Sequence, residues 1–262
     1  MRETSRSIAG SRVVRLMSDV QPLLVSCHVG KTGGTSFRAM LQAAHGDRLV
    51  FITRMPAAQP IRRELYPLLR RTYWYARSFD SHDLRYVPPD EFWPSARFAV
   101  ILRDPVERYL SEYFFLRYHT GQALGPMNDS RREAWLQGNF PALEVYLEDT
   151  AELQTRFIAG ASFIAPANRE VFADAMRELE HYDYIGITEC TDKLPAVIAA
   201  DFPELRQAAM PIENITPNRG GRLWRDRIAP KLLDKVRARH QYDFRLYEAA
   251  IKLNLRRGHP VP

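Results

Sequence analysis

The stretch Leu23-Leu24-Val25-Ser26-Cys27-His28-Val29-Gly30-Lys31-Thr32-Gly33-Gly34-Thr35-Ser36 decides how this chain is read. Its first five residues form a short apolar run that stops at His28 and a Gly-rich turn, the pattern of a buried strand feeding a loop. Beyond the turn, Phe37, Met40, Leu41 and Ala44 recur at i, i+3, i+4 and i+7, one apolar face of a helix. In the turn itself, the glycines allow consecutive N–H groups to point into one concavity, and the helix N-terminus adds partial positive charge. Lys31, Thr35 and Ser36 add side-chain donors, so the loop is a chemically complete anion cradle. A plain tight turn needs neither the lysine nor the hydroxyls.

A second unit of the same kind follows. The apolar run Phe98 to Leu102 leads into Arg103-Asp104-Pro105 and a long helical pattern. Asp104 is placed to be the N-cap, Pro105 the first helical residue and Glu107 the capping-box partner. Ser111 lies seven positions after Asp104, and at ~100° per residue it returns to nearly the same side of the helix, roughly 10 Å along its axis. Arg103, reaching out from the strand end, can converge with Ser111 on one phosphate. Elsewhere, 62–71 reads as helix, 73–79 as extended, 168–181 as helix, 184–187 as a short buried strand and 191–201 as helix. Strands separated by helices predict an α/β fold with a mainly parallel central sheet flanked by helices. Ligands of such sheets sit beyond the C-terminal strand ends, where both turns would lie.

The chain has 262 residues, 45% hydrophobic and 26% charged, enough for one full core and too few for two ordinary domains with a linker. One domain over 21–262 is expected, after a flexible tail over 1–20 that shows no periodicity. No apolar run reaches the ~20 residues needed to cross a bilayer, and residues 1–20 lack the apolar stretch of a secretory signal. A cytoplasmic, soluble protein is the expectation. Two cysteines, Cys27 and Cys190, make no disulfide framework, and no Cys/His spacing reads as a zinc site, so no metal is expected. The net charge of +6 favours anionic partners without choosing among them. Of the 37 basic residues only five are lysines, and Lys31 is the only one before Lys193. A chain that nearly always selects Arg thus has Lys where a compact point charge suits a phosphoryl or sulfuryl oxygen.

The nucleoside-triphosphatase pattern G-x-x-x-x-G-K-[ST] would end at Gly30-Lys31-Thr32, but its first glycine falls on Val25. The segment from His28 to Ser36 instead resembles the 5′-phosphosulfate loop of sulfotransferases, H-x-P-K-T-G-G-T-S in the carbohydrate group related to heparan sulfate 2-O- and 6-O-sulfotransferases, with Gly30 in place of the proline. Arg103-Asp104-Pro105 followed by Ser111 matches that family's 3′-phosphate signature, spacing included. The resemblance spans 22–255, strongly at these two motifs and weakly at Phe114 to Tyr118, Gln154 to Gly160, Tyr184 to Glu189 and Glu213 to Arg219. It implies a P-loop-like sulfotransferase fold, and a bacterial member is expected, since the animal relatives are membrane-anchored and no anchor is read in this sequence. It also implies 3′-phosphoadenosine 5′-phosphosulfate (PAPS) as donor, bound by Lys31, Thr32, Gly33, Gly34, Thr35, Ser36, Arg103 and Ser111, with Arg219 and Thr216 near the 3′-phosphate. For that last loop, a surface turn built by Pro217 and Gly220-Gly221 is the other reading.

The family places a histidine base between the two motifs, and histidine suits the role because its pKa lies near neutrality. His45, after the first helix, and His82, in Phe79-Asp80-Ser81-His82-Asp83, both qualify, and His82 is preferred as the catalytic residue beside Lys31. His28 is read as structural, and His119 as able to reach an acceptor. The reaction implied is in-line sulfuryl transfer to a hydroxyl of a carbohydrate or related acceptor, whose acidity the basic charge mildly favours. The enzyme alternative is a P-loop kinase using ATP and Mg²⁺. The non-enzyme alternative is an arginine-rich module binding acidic glycans; no nucleic-acid motif is present.

Overall fold

The computed structural model describes residues 22–52, 63–88, 92–118, 142–146, 151–161, 167–211 and 224–262. The tail expected over 1–20 lies outside them. Five strands, β1 (Leu23–Cys27), β2 (Leu49–Phe51), β3 (Ser78–Ser81), β4 (Ala96–Leu102) and β5 (Tyr184–Ile187), form one parallel sheet in the order β2-β3-β1-β4-β5. β1 is central, and Cys27 pairs with Ser81 on one side and Val100 on the other. The ends of β1 and β3 are therefore level, with β4 running two residues further.

The side-chain period of two sorts each strand between two cores. Leu23, Val25, Phe79, Phe98, Val100, Leu102, Ile185 and Ile187 face one core, completed by Tyr66, Phe157, Phe172, Leu246 and Leu253. Leu24, Ala99, Ile101 and Tyr184 face the other, against Phe37, Met40 and Leu41 of α1 (Gly34–His45) and Leu194 and Ile198 of α7 (Leu194–Ile198). Helices on both faces are what an all-parallel sheet requires, because neither face is left for water. The first core takes α2 (Tyr66–Thr72), α5 (Leu153–Ile158), α6 (Arg169–Leu179) and α9 (Gln241–Arg257). A third cluster joins α3 (Pro105–Tyr118) to α4 (Leu143–Tyr146) and α8 (Pro230–Arg239) through Tyr109, Tyr113, Tyr146 and Val236.

Local readings changed at element ends. Residues 73–75 turn and the strand begins only at Ser78, so the extended reading over 73–79 starts too early. Trp74 and Tyr75 are exposed there instead of joining the core. The helix read over 191–201 is a 3-10 segment, Thr188–Lys193, followed by the five residues of α7. Asn168 is the N-cap of α6, accepting from Val171 N at 2.9 Å.

One buried polar cluster ties the helices together. Both carboxylate oxygens of Glu152 accept from the first turn of α9, from the amides of Tyr242 (2.9 Å) and Asp243 (2.6 Å). Asp243 returns the arrangement, accepting from the amides of Gln154 and Thr155 and from the Thr155 hydroxyl at the start of α5. Each helix N-terminus is thus capped by a carboxylate from the other's end, which satisfies donors that have no partner inside a helix. With His240 this is the one His/carboxylate group among the described residues spaced for a metal ion. All four carboxylate oxygens accept N–H or O–H donors and His240 Nδ1 accepts from Glu152 N, so its chemistry is that of a cap. Asp243→Asn should cost about 2–3 kcal/mol in urea unfolding, because an amide N–H would then face those donors. A loss below about 0.5 kcal/mol contradicts the capping account.

Candidate active site

The ends of β1, β3 and β4 bring three loops together. In the first, Lys31 (φ 67°) and Gly33 (φ 94°) are both left-handed. Two such residues spaced two apart fold the main chain into a concave nest. For a lysine that backbone costs about 1–2 kcal/mol, so the surroundings must impose it. Thr32 Oγ1 donates to Val29 O (3.0 Å), Thr188 Oγ1 donates to Thr32 O (2.6 Å), and an Arg103 Nη1–H donates to Lys31 O (3.2 Å). Thr32 is fully buried, and its hydroxyl is spent inside the loop. Thr35 and Ser36 stand half-buried in the first turn of α1. The Lys31 ammonium lies 3.6 Å from the centre of the Phe115 ring. Burial pushes its pKa down to about 8; Glu112 opposes this, and Arg103 and Arg108 add to it. A lysine so desolvated gains most from an incoming anion.

Arg103 follows β4 and is buried. Gln154 grips its main chain with both ends of one amide: Arg103 N donates to Gln154 Oε1 and Gln154 Nε2 donates to Arg103 O, each at 2.9 Å. An Arg103 Nη2–H faces Glu107 Oε2 at 3.6 Å. Asp104 is the N-cap of α3, accepting from Glu107 N at 3.0 Å. The expected capping box is only half formed. Asp104 N donates to Glu189 instead, and the Glu107 carboxylate accepts from the amide of Arg225 at 3.1 Å. Arg225 also pairs with Asp104 at 2.9 Å. Ser111 is buried two turns along α3. Arg219, Thr216 and His119 lie outside the described residues.

His82 follows the last residue of β3 and comes to rest against the start of the first loop. Its Nδ1 lies 2.7 Å from His28 O, and the two rings are 4.0 Å apart. A carbonyl only accepts, so Nδ1 carries the proton and Nε2 keeps its lone pair. The side chain reaches solvent. The packed floor around the ring and the adjacent His28 push its pKa down to about 4, leaving it neutral near pH 7. His28, by contrast, is 5% exposed, with Nδ1 3.2 Å from Asp80 Oδ2. Asp80 is fully buried and also accepts from Ser26 Oγ at 2.5 Å.

The other histidine weighed in the sequence, His45, ends α1. The 12 residues of that helix carry it ~18 Å back across the sheet. There its Nδ1 meets Ser78 Oγ at 2.8 Å, at the opposite end of β3, and Glu204 lies 3.3 Å from its Nε2. Gln154 and Thr188 are the residues whose importance the sequence did not disclose. Thr188 left one trace, as the polar residue that ends the apolar strand β5. Gln154 stood only in a weak segment of the resemblance, and its role was hidden because its partner is a main chain 51 residues away.

The His28 ring packs against the loop at Gly34: a Cβ there would sit 2.1 Å from His28 Cδ2, whereas one at Gly30 meets nothing within 4 Å. Gly34→Ala should therefore destabilise the fold by about 1–3 kcal/mol, and Gly30→Ala should stay within about 0.5 kcal/mol of the parent. Equal midpoints for the two variants in urea would refute the close packing.

No curated protein matches the chain. The model of the sulfotransferase family matches it over residues 15–248, a span that contains β1 to β5, the turns that follow β1 and β4, and His82. The chain belongs to the sulfotransferase family, and its chemistry is sulfuryl transfer to a hydroxyl-bearing acceptor.

Proposed function

We propose that this enzyme transfers a sulfuryl group from PAPS to a hydroxyl of a carbohydrate acceptor, with His82 as general base. The observation that carries the reading is the hydrogen bond from His82 Nδ1 to His28 O, which holds an unprotonated Nε2 at the mouth of the phosphate loop. β3 and β1 are adjacent strands, so base and loop are about one strand spacing, ~5 Å, apart. The nest at Lys31 to Gly33 and the depressed Lys31 ammonium suit a phosphosulfate in shape and charge. Arg103, oriented by Gln154, and Ser111 suit a 3′-phosphate, the group that separates this donor from ATP.

In the reaction so read, the acceptor oxygen forms a bond to sulfur while the sulfur–oxygen bond to the 5′-phosphate breaks. The hydroxyl proton passes to His82 Nε2, and the charge released on the departing phosphate falls to Lys31 and the loop amides. A base with a pKa near 4 gives up some basicity in exchange for being unprotonated at every physiological pH. The family match supports the reaction class, and the loop and base geometry supports the donor and the histidine.

His82→Ala should lower kcat by about 10²–10⁴ while the affinity for 3′,5′-adenosine bisphosphate is unchanged. Retention of more than about a tenth of the activity rejects the assignment. In thermal unfolding, 3′,5′-adenosine bisphosphate at 100 times its Kd should add about 2.7 kcal/mol, and AMP or ATP with Mg²⁺ far less. Equal stabilisation by AMP would remove Arg103 and Ser111 from the donor site.

The pH profile has a definite sign. His82 must be unprotonated and Lys31 protonated, so kcat/KM for the donor should rise through about pH 4 and fall above about pH 8. A rising limb near 6.5, where an ordinary histidine titrates, would contradict the placement of His82.

A further inference from the structure

The two anion-binding turns occupy the β1 and β4 side of the strand ends, and the base stands at β3. The remaining strand of that side, β2, ends in Phe51, which is 40% exposed where an all-parallel sheet normally covers its apolar residues. Above its ring lies Arg38 of α1, with the guanidinium carbon 4.2 Å from the ring centre. The Arg38 side chain is 29% exposed, and its nearest carboxylate oxygen, Asp80 Oδ2, is 3.9 Å away, an ion pair beyond hydrogen-bond range. Asp80 has no need of it, because Ser26 and His28 already occupy its two oxygens. Among the described residues, no hydrogen bond is made by the Arg38 guanidinium, a group with five donors.

Arg38 is thus a cation seated over an aromatic ring, with its donors uncommitted among the described residues. It lies against Asp80, Asp80 against His28, and the His28 ring 4.0 Å from that of His82. Laterally, the end of β2 stands three strands from the end of β4, about 14 Å from the Arg103 side. A group that attacks in line approaches sulfur opposite the departing 5′-phosphate oxygen and within reach of His82, and Arg38 with Phe51 stands on the side of β3 away from β4 and Arg103.

We infer that Arg38, seated over the Phe51 ring, determines acceptor specificity by pairing with an anionic group, a carboxylate or a sulfate ester, carried near the reacting hydroxyl. The inference rests on the proposed sulfuryl transfer and adds the residues that select its acceptor. A planar guanidinium binds such oxoanions through two parallel hydrogen bonds, which sets the orientation of the acceptor as well as its charge. The Phe51 ring supports the guanidinium from one side, which reduces the side-chain freedom lost on binding.

The test uses the full chain and two probes, a uronate-containing oligosaccharide and its carboxyl-reduced counterpart. Binding is followed by saturation-transfer NMR in the presence of 3′,5′-adenosine bisphosphate, and turnover is followed with labelled PAPS. The parent should bind and sulfate the uronate probe at least tenfold better than the reduced one. Arg38→Gln should abolish that preference by raising KM for the uronate probe, leaving kcat and the affinity for 3′,5′-adenosine bisphosphate within twofold. Arg38→Lys should restore part of the preference, and Phe51→Ala should weaken it with folding intact by circular dichroism. Equal loss of kcat on both probes in Arg38→Gln would make Arg38 a positioning residue acting through Asp80, and would overturn the inference. So would a parent that binds 3′,5′-adenosine bisphosphate yet does not distinguish the probes or binds neither. Failure to bind 3′,5′-adenosine bisphosphate would instead remove the donor reading on which the inference rests.

Discussion

The arrangement of the site depends on His28. Its amide donates to Ser81 O at 2.9 Å, continuing the ladder between β1 and β3 past the last paired residues. Its carbonyl accepts from His82, its Nδ1 meets Asp80, and its ring rests on the Gly34 backbone. One residue therefore sets the distance between the phosphate loop and the neighbouring strand, fixes the tautomer of the exposed histidine, and dictates glycine at the helix start. The buried carboxylate beneath it is tolerated because both of its oxygens accept hydrogen bonds.

Around that point, strain and charge are held by main-chain contacts more than by ion pairs. The left-handed Lys31 is kept in place by Thr188, by Arg103 and by the internal bond of Thr32. Arg103 is in turn oriented by an amide, Gln154, which fixes a position without neutralising the charge. Gln154 sits in α5, whose N-terminus is capped by Asp243 of α9 while Glu152 caps α9. Helix α9 is thereby connected to the loop after β4 through two successive sets of hydrogen bonds.

Much of this was legible in residues of local meaning. The runs at Leu23 and Phe98 are strands, Phe37, Met40 and Leu41 are buried on α1, and Asp104 with Pro105 opens α3. These readings succeed because strand burial, helix periodicity and capping act over a few residues. The failures share a cause. Glu107 was read as a reciprocal cap, but Arg225, 118 residues further on, takes its carboxylate. The strand placed at 73–79 begins only at Ser78, because Tyr73 to Tyr75 complete a turn after α2 before the chain can enter the sheet.

The histidines separate the two sources of information most clearly. By itself the sequence determined that the protein would carry a glycine- and lysine-bearing turn between strand and helix, a second strand-to-helix turn at Arg103, and an α/β framework to hold both. It preferred His82 over His45, though each lies between the two motifs. Only the tertiary structure shows where each stands: α1 carries His45 to the far end of β3, while the level ends of β1 and β3 seat His82 on the His28 carbonyl. The same register brings Arg38 and Phe51 to the side of the base, a meeting of residues 13 positions apart that no helix or strand period encodes.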